Sequence, residues 1–128
     1  MNTPGSPDRF RVCIVDDDAS VRKSLANLLR SAGYETLLFE SGEDFLASAP
    51  ARLAGCAVVD LRMPGVTGVE VQRELARRGS RLPVICMSAH WDDALMGESL
   101  RYGAVACLGK PFSEEVLIEA VEAAFSDY

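Results

Sequence analysis

Apolar and polar residues alternate along this chain in blocks. Short apolar runs open near residues 11, 34, 56, 83 and 105: Arg11 to Val15, Tyr34 to Phe39, Cys56 to Val59, Pro83 to Met87 and Ala104 to Leu108. Runs this short with no polar alternation predict strands buried on both faces. Between them apolar residues return at helical spacing, as at Val21, Leu25, Leu28 and Leu29, and again at Leu117, Ala120, Val121, Ala124 and Phe125. The pattern predicts a strand and a helix repeated five times. Punctuation agrees, with Gly33, Gly79 and Gly103 at predicted helix ends, Thr67 and Glu70 spaced as a capping box, and Ser113 ahead of Glu114 and Glu115.

Short strands alternating with helices imply an α/β domain, a doubly wound parallel sheet covered on both faces. For five strands the flavodoxin-like order 2-1-3-4-5 is the smaller of the two common windings, and it sets strands 1 and 3 side by side. Ligands of such sheets bind at the carboxyl ends of the strands, where the winding reverses. The first predicted strand ends in Asp16-Asp17-Asp18 and the third in Asp60, ahead of a Pro64-Gly65 turn. Several carboxylates should therefore meet in one crevice. Asp18, just before Ala19, is expected to be a helix cap. Like charges so close resist ionising together, and a divalent cation with oxygen ligands and water, magnesium above all, relieves them.

Ser88 follows the fourth run, and Lys110, ahead of Pro111, follows the fifth. A hydroxyl and an ammonium facing a metal-bound carboxylate make a place for a phosphoryl group. Taken singly, each of these residues has an ordinary explanation as a helix cap, turn serine or solvated lysine. Their joint placement carries the inference.

Composition narrows the partners. At 128 residues there is room for one domain, expected over residues 10–128 after a frayed Pro/Gly/Ser-bearing tail over 1–9. With 19 acidic against 13 basic residues and a net charge of −6, the bare chain should not seek nucleic acid or an anionic membrane. There is no run of 18 apolar residues, and Met1 to Arg9 lack a hydrophobic signal region, so a cytoplasmic protein with no membrane span is expected. Cys13, Cys56, Cys86 and Cys107 stand singly inside apolar runs, which fits reduced cysteines packed as small hydrophobes rather than metal or disulfide chemistry.

With these residues in view, the chain from Arg11 to Phe125 resembles the receiver domain of two-component response regulators, with their CheY-like fold. The matching stretches are Ile14-Val15-Asp16-Asp17, Asp60-Leu61-Arg62-Met63-Pro64, the Ser88 position and Lys110-Pro111-Phe112. The wording of the second stretch and the helix start Val21-Arg22-Lys23-Ser24-Leu25 look most like regulators of the nitrogen-fixation (FixJ) type. Those usually carry a C-terminal helix-turn-helix domain, which this sequence does not include.

The resemblance implies that Asp60 accepts a phosphoryl group from a phosphohistidine on a sensor histidine kinase. Asp17 and Asp60, with the backbone carbonyl of Arg62, would ligate magnesium, and Asp16 would act mainly through metal-bound water. Ser88 would hydrogen-bond a phosphoryl oxygen, and Lys110 would pair with Asp60 or its phosphate, next to a cis Lys110–Pro111 bond. Such a domain acts on its own aspartate and is not otherwise an enzyme. The face of the fourth helix, fifth strand and fifth helix is the expected partner surface, a homodimer included.

The sequence departs from the family at Cys107, where a Tyr or Phe usually swings together with the serine or threonine on activation. Trp91 and Tyr102 are the nearest rings by sequence that could take that part. His90, two past Ser88, and Arg62, two past Asp60, occupy positions that tune phosphoryl loss in the family. A metal-ligand role for His90 competes with that of a loop bystander. A phosphatase of the haloacid-dehalogenase type would want an aspartate where Arg62 stands, and a flavin or nucleotide carrier would not place three aspartates after its first strand. The remaining alternative is a degenerate receiver acting as a constitutive interaction module, kept open by Cys107.

Overall fold

The computed structural model describes residues 10–49 and 54–126. The expected tail over residues 1–9 lies outside the described residues. Five strands and five helices alternate: β1 (Arg11–Val15), α1 (Ala19–Ser31), β2 (Glu35–Phe39), α2 (Gly42–Ala47), β3 (Cys56–Asp60), α3 (Gly68–Arg77), β4 (Val84–Ser88), α4 (Asp93–Arg101), β5 (Ala104–Gly109) and α5 (Glu114–Ser126). The strands form one sheet in the order β2-β1-β3-β4-β5, with every pairing parallel. The predicted winding holds.

The strands β3, β4 and β5 each run one residue past the apolar run, through Asp60, Ser88 and Gly109, and two strand starts moved for local reasons. Tyr34 ends the α1 turn instead of opening β2, because its N–H donates to the carbonyl of Leu29 past Gly33, whose φ is +99°. Pro83 has no N–H for the ladder, so β4 opens at Val84, although the Pro83 carbonyl still accepts from Ala57. The Thr67–Glu70 capping box forms in both directions at the start of α3. Asp18 caps α1 by accepting from the N–H groups of Ser20 and Val21, as expected of it.

The central strands β1, β3 and β4 feed both faces of the sheet, which is why their runs read as uninterrupted apolar residues, whereas the edge strand β2 packs Leu37 and Phe39 on one face only. Val12, Ile14, Val58, Ile85 and Met87 pack under α1 and α5 with Leu25, Leu29, Leu117 and Val121. Cys13, Val15, Val59 and Cys86 pack under the other helices with Phe45, Val71 and Leu75. Cys13, Cys56 and Cys86 are free and buried, and burial pushes each thiol up to about 12. They behave as small hydrophobes.

Around β5, an edge strand, the covering is thinner. Ser99 is the buried residue of α4, while Met96, Leu100, Val105 and Val116 expose apolar surface along α4, β5 and α5. At the other side of the crevice α3 presses close to β3. A Cβ on Gly68 would stand 2.6 Å from Leu61 Cα and 2.7 Å from the Asp60 carbonyl oxygen, so only glycine lets the helix start there.

Candidate functional site

The carboxyl ends of β1, β3, β4 and β5 converge as the sequence predicts. Asp60 is the last residue of β3 and Asp16 follows β1; the first is 6% exposed and the second fully buried. Asp17 stands beside them at the surface. One carboxylate oxygen from each of the three lies within 4.8 Å of the others, a grouping that can hold a metal ion. His90 is not in that grouping.

A single ammonium balances the buried acids. Lys110, just past β5, is fixed by its backbone N–H donating to the Ser88 carbonyl at 2.8 Å, and the Lys110–Pro111 peptide is cis. Its Nζ lies 2.8 Å from Asp16 Oδ2 and 3.5 Å from Asp60 Oδ2. The expected pairing with Asp60 is therefore the looser of the two. Burial explains the preference: each carboxylate accepts one backbone N–H, Asp16 Oδ1 from Asp18 at 2.9 Å and Asp60 Oδ1 from Arg62 at 3.2 Å, but Asp16 is the one wholly cut off from solvent and needs the cation outright.

Electrostatics follow from this packing. Burial raises the Asp60 carboxyl above its usual range; the Arg62 N–H opposes that rise, the Asp16 charge adds to it, and Lys110 opposes it again. Burial by itself would lower Lys110, but the hydrogen bond and charge of Asp16, followed by Asp60, outweigh it and hold the ammonium above its ordinary value. The site thus contains one carboxylate that ionises reluctantly and one firmly charged cation. Asp17, by contrast, has no hydrogen bond or ion pair among the described residues and is free for a cation.

Ser88 closes β4 and is fully buried. Its hydroxyl serves the next turn: Oγ donates to the His90 carbonyl at 3.1 Å and accepts from the His90 N–H at 3.2 Å. Arg62 Nη2 also reaches the His90 carbonyl at 3.4 Å, so the two positions expected to tune the site, 62 and 90, touch each other. Cys107 sits away from the acids, its thiol 3.8 Å from Ser99 Oγ under α4.

Two contacts went unread in the sequence. Arg22 Nη1 donates to the Asp16 carbonyl at 2.6 Å, pinning the loop that carries the acids. Its clue was present, since a cation stands one turn before Leu25, Ala26 and Leu29 on the buried stripe of α1. Trp91 Nε1 donates to the Leu108 carbonyl at 2.9 Å, tying the loop after β4 to β5. Nothing in the spacing marks that bond. Beside Lys110 runs an apolar groove of about 510 Å³ lined by Ser20, Val21, Ser24, Leu25, Ala89, Pro111 and Phe112.

Comparison with known proteins meets this geometry. The model of the response regulator receiver domain matches residues 12–122. The chain is 41% identical over 113 residues to nodulation protein W of Bradyrhizobium diazoefficiens, covering 88% of this chain and 50% of that protein. It is 43% identical over 115 residues to the transcriptional regulatory protein FixJ of Rhizobium meliloti, covering 90% of this chain and 56% of that one. The chain thus spans about half the length of the curated relatives it matches. Among solved structures, the crystal structure of FixJ-N superposes with a TM-score of 0.86 at 41% identity, over 93% of this chain and 95% of that one. The response regulator StyR gives 0.85 at 40% identity, over 91% of this chain and 59% of that chain. Sequence and fold agree over nearly the same residues, and the chain belongs to the response regulator receiver domain family.

Proposed function

We propose that Asp60 is the phosphoacceptor of a two-component signalling domain. The observation that carries this reading is the placement of Asp60 at the end of β3, with Lys110 Nζ 3.5 Å from its carboxylate and oxygens of Asp16 and Asp17 within 4.8 Å. A carboxylate oxygen of Asp60 attacks phosphorus in line. The O–P bond forms as the P–N bond of a phosphohistidine on a sensor histidine kinase breaks, and the imidazole nitrogen leaves with the electron pair. Lys110 balances charge gathering on the phosphoryl oxygens, and Ser88 turns its hydroxyl to one of them.

Lys110 is the one ammonium paired with these three acids among the described residues, Arg22 being committed to the Asp16 carbonyl, and Asp17, with no hydrogen bond or ion pair among those residues, suits a cation. Mg²⁺ fits that donor set. Asp17, Asp60 and the Arg62 carbonyl would hold it, with Asp16 reaching it through water. When bound, the ion supplies charge neutralisation between the carboxylates and the phosphoryl oxygens.

The apolar groove beside Lys110 gives a protein phosphodonor a seat next to the site. Met96, Leu100, Val105 and Val116 supply the apolar part of a face on which two copies could pair about a two-fold axis. Three buried free thiols suit the reducing cytoplasm, and the net charge of −6 leaves DNA contact to other segments. The domain transforms only its own Asp60.

Incubation with acetyl phosphate and magnesium should add one phosphoryl mass, labile to hydroxylamine, and Asp60→Asn should remove it. A persisting gain in that variant would place the acceptor elsewhere. No gain in the wild type would favour a constitutive interaction module, a reading that rests on Cys107 standing where a switching ring is expected.

A further inference from the structure

We propose that Trp91 is the ring that answers phosphorylation in this chain, moving inward over Gly109 into the space that Ser88 leaves. This inference rests on the phosphoacceptor reading of Asp60. Position 107 cannot supply the motion, because its side chain is a thiol held against Ser99. Tyr102 cannot either. It caps the carboxyl end of α4 and lines a cavity with Pro83 and Val84, at the opposite end of β4 from Ser88.

Trp91 is placed to do it by three observations. First, it is coupled to Ser88: the serine hydroxyl makes both of its hydrogen bonds to the backbone of His90, the residue just before Trp91. A hydroxyl turned toward a phosphoryl oxygen gives up the His90 carbonyl, and the loop loses that tie. Second, the half-buried indole already lies on β5, with Nε1 donating to the Leu108 carbonyl at 2.9 Å, so the loop stays attached to the strand as it shifts. Third, Gly109 leaves room beside the ring. Ser88 is paired in register with Gly109, and Trp91 Cδ1 lies 3.8 Å from where a Gly109 Cβ would be. With no side chain at 109, no Cβ stands beside the ring on the residue that pairs with Ser88. A vacated space in a close-packed site loses contacts on every side unless something fills it.

Trp91 is the only tryptophan in the chain, so its fluorescence reports on this ring alone. The test compares acrylamide quenching with and without magnesium and beryllofluoride, with acetyl phosphate uptake followed in parallel by intact mass. The quenching constant of the wild type should fall at least twofold on activation. Gly109→Ala should fold normally, since its Cβ meets Trp91 at an ordinary contact distance. It should still take up a phosphoryl group and yet lose at least half of the quenching change, because the methyl group blocks the path. Uptake with an unchanged or rising quenching constant in the wild type overturns the Trp91 relay and leaves the phosphoacceptor reading standing. A full response in Gly109→Ala overturns the route. Absence of uptake overturns both readings together.

Discussion

Replacing Gly68 with alanine sets the sharpest steric test of how the site is built. The added Cβ would stand 2.6 Å from Leu61 Cα and Cδ2 and 2.7 Å from the Asp60 carbonyl oxygen, where ordinary contact begins at 3.4 Å. The start of α3 must therefore retreat from the end of β3 by roughly 0.8 Å, the shortfall from ordinary contact. Much of what it meets is backbone, which cannot rotate away. Overpacking of this kind costs about 1–3 kcal/mol. With an unfolding entropy near 2.1 cal/mol/K per residue over roughly 110 ordered residues, that corresponds to a melting temperature lower by about 4–13 °C. Phosphoryl uptake should fall at least ~10-fold, since a displacement approaching 1 Å spoils in-line attack. Gly97, inside α4 and facing open space, provides the opposite case. There alanine should raise stability by about 0.5–1 kcal/mol, because glycine loses more chain entropy on folding. Thermal denaturation of both variants decides the matter. A Gly68→Ala protein melting within about 1 °C of the wild type would show that the site yields freely, and the reasoning from close approach would be wrong.

Magnesium titration should separate the acids. Asp17→Asn should weaken binding at least ~10-fold more than Asp16→Asn, because Asp16 is already committed to Lys110 while Asp17 is not; equal losses would reject that division. Affinity should fall as pH drops, beginning above the usual carboxylate range, since Asp60 has a raised pKa and must ionise to ligate; a pH-independent affinity would contradict it. At the alkaline end, the thiols of Cys13, Cys56 and Cys86 ionise near 12 in the folded chain and near ~8.5 unfolded. The stability they contribute is complete below the unfolded value and is lost as pH rises through the folded one. Urea midpoints between pH 9 and 11 should show Cys13→Ala losing stability less steeply than the wild type, by about 1.4 kcal/mol per pH unit. Parallel slopes would mean the thiol is not buried in solution.

The sheet was legible because burial on both faces writes itself into the sequence as unbroken apolar runs, and strands with polar terminal residues reveal which edge is functional. Asp16, Asp17, Asp60, Ser88 and Lys110 could be gathered from strand order alone. Partner choice within the crevice was not legible. Whether Lys110 leans to Asp16 or Asp60 depends on how deeply each carboxylate is buried, and the backbone N–H groups that reach them, from Asp18 and from Arg62, have no signature in residue type. The same holds for Trp91, whose bond to the Leu108 carbonyl depends on the path of a loop rather than on any period. Boundaries slipped at Tyr34 and Pro83 because a helix-ending turn and a missing N–H each took a residue that hydropathy assigned to a strand.

The ion pair between Asp16 and Lys110 joins residues 94 apart in the chain. Closing a loop of that length carries an entropic cost of about 4 kcal/mol on the logarithmic scaling of chain closure, before any constant. In the unfolded chain the same two charges would meet in water, where an ion pair contributes far less than that, so the lysine cannot fetch the aspartate by itself. The pair forms only after β1, β3, β4 and β5 have registered side by side. During synthesis the acids emerge first and the ammonium that steadies them almost last. A growing or partly unfolded chain therefore holds the acids without the ammonium that balances them in the finished crevice. The charge balance of the crevice is complete only once β5 is in place, with α5 still to cover the sheet.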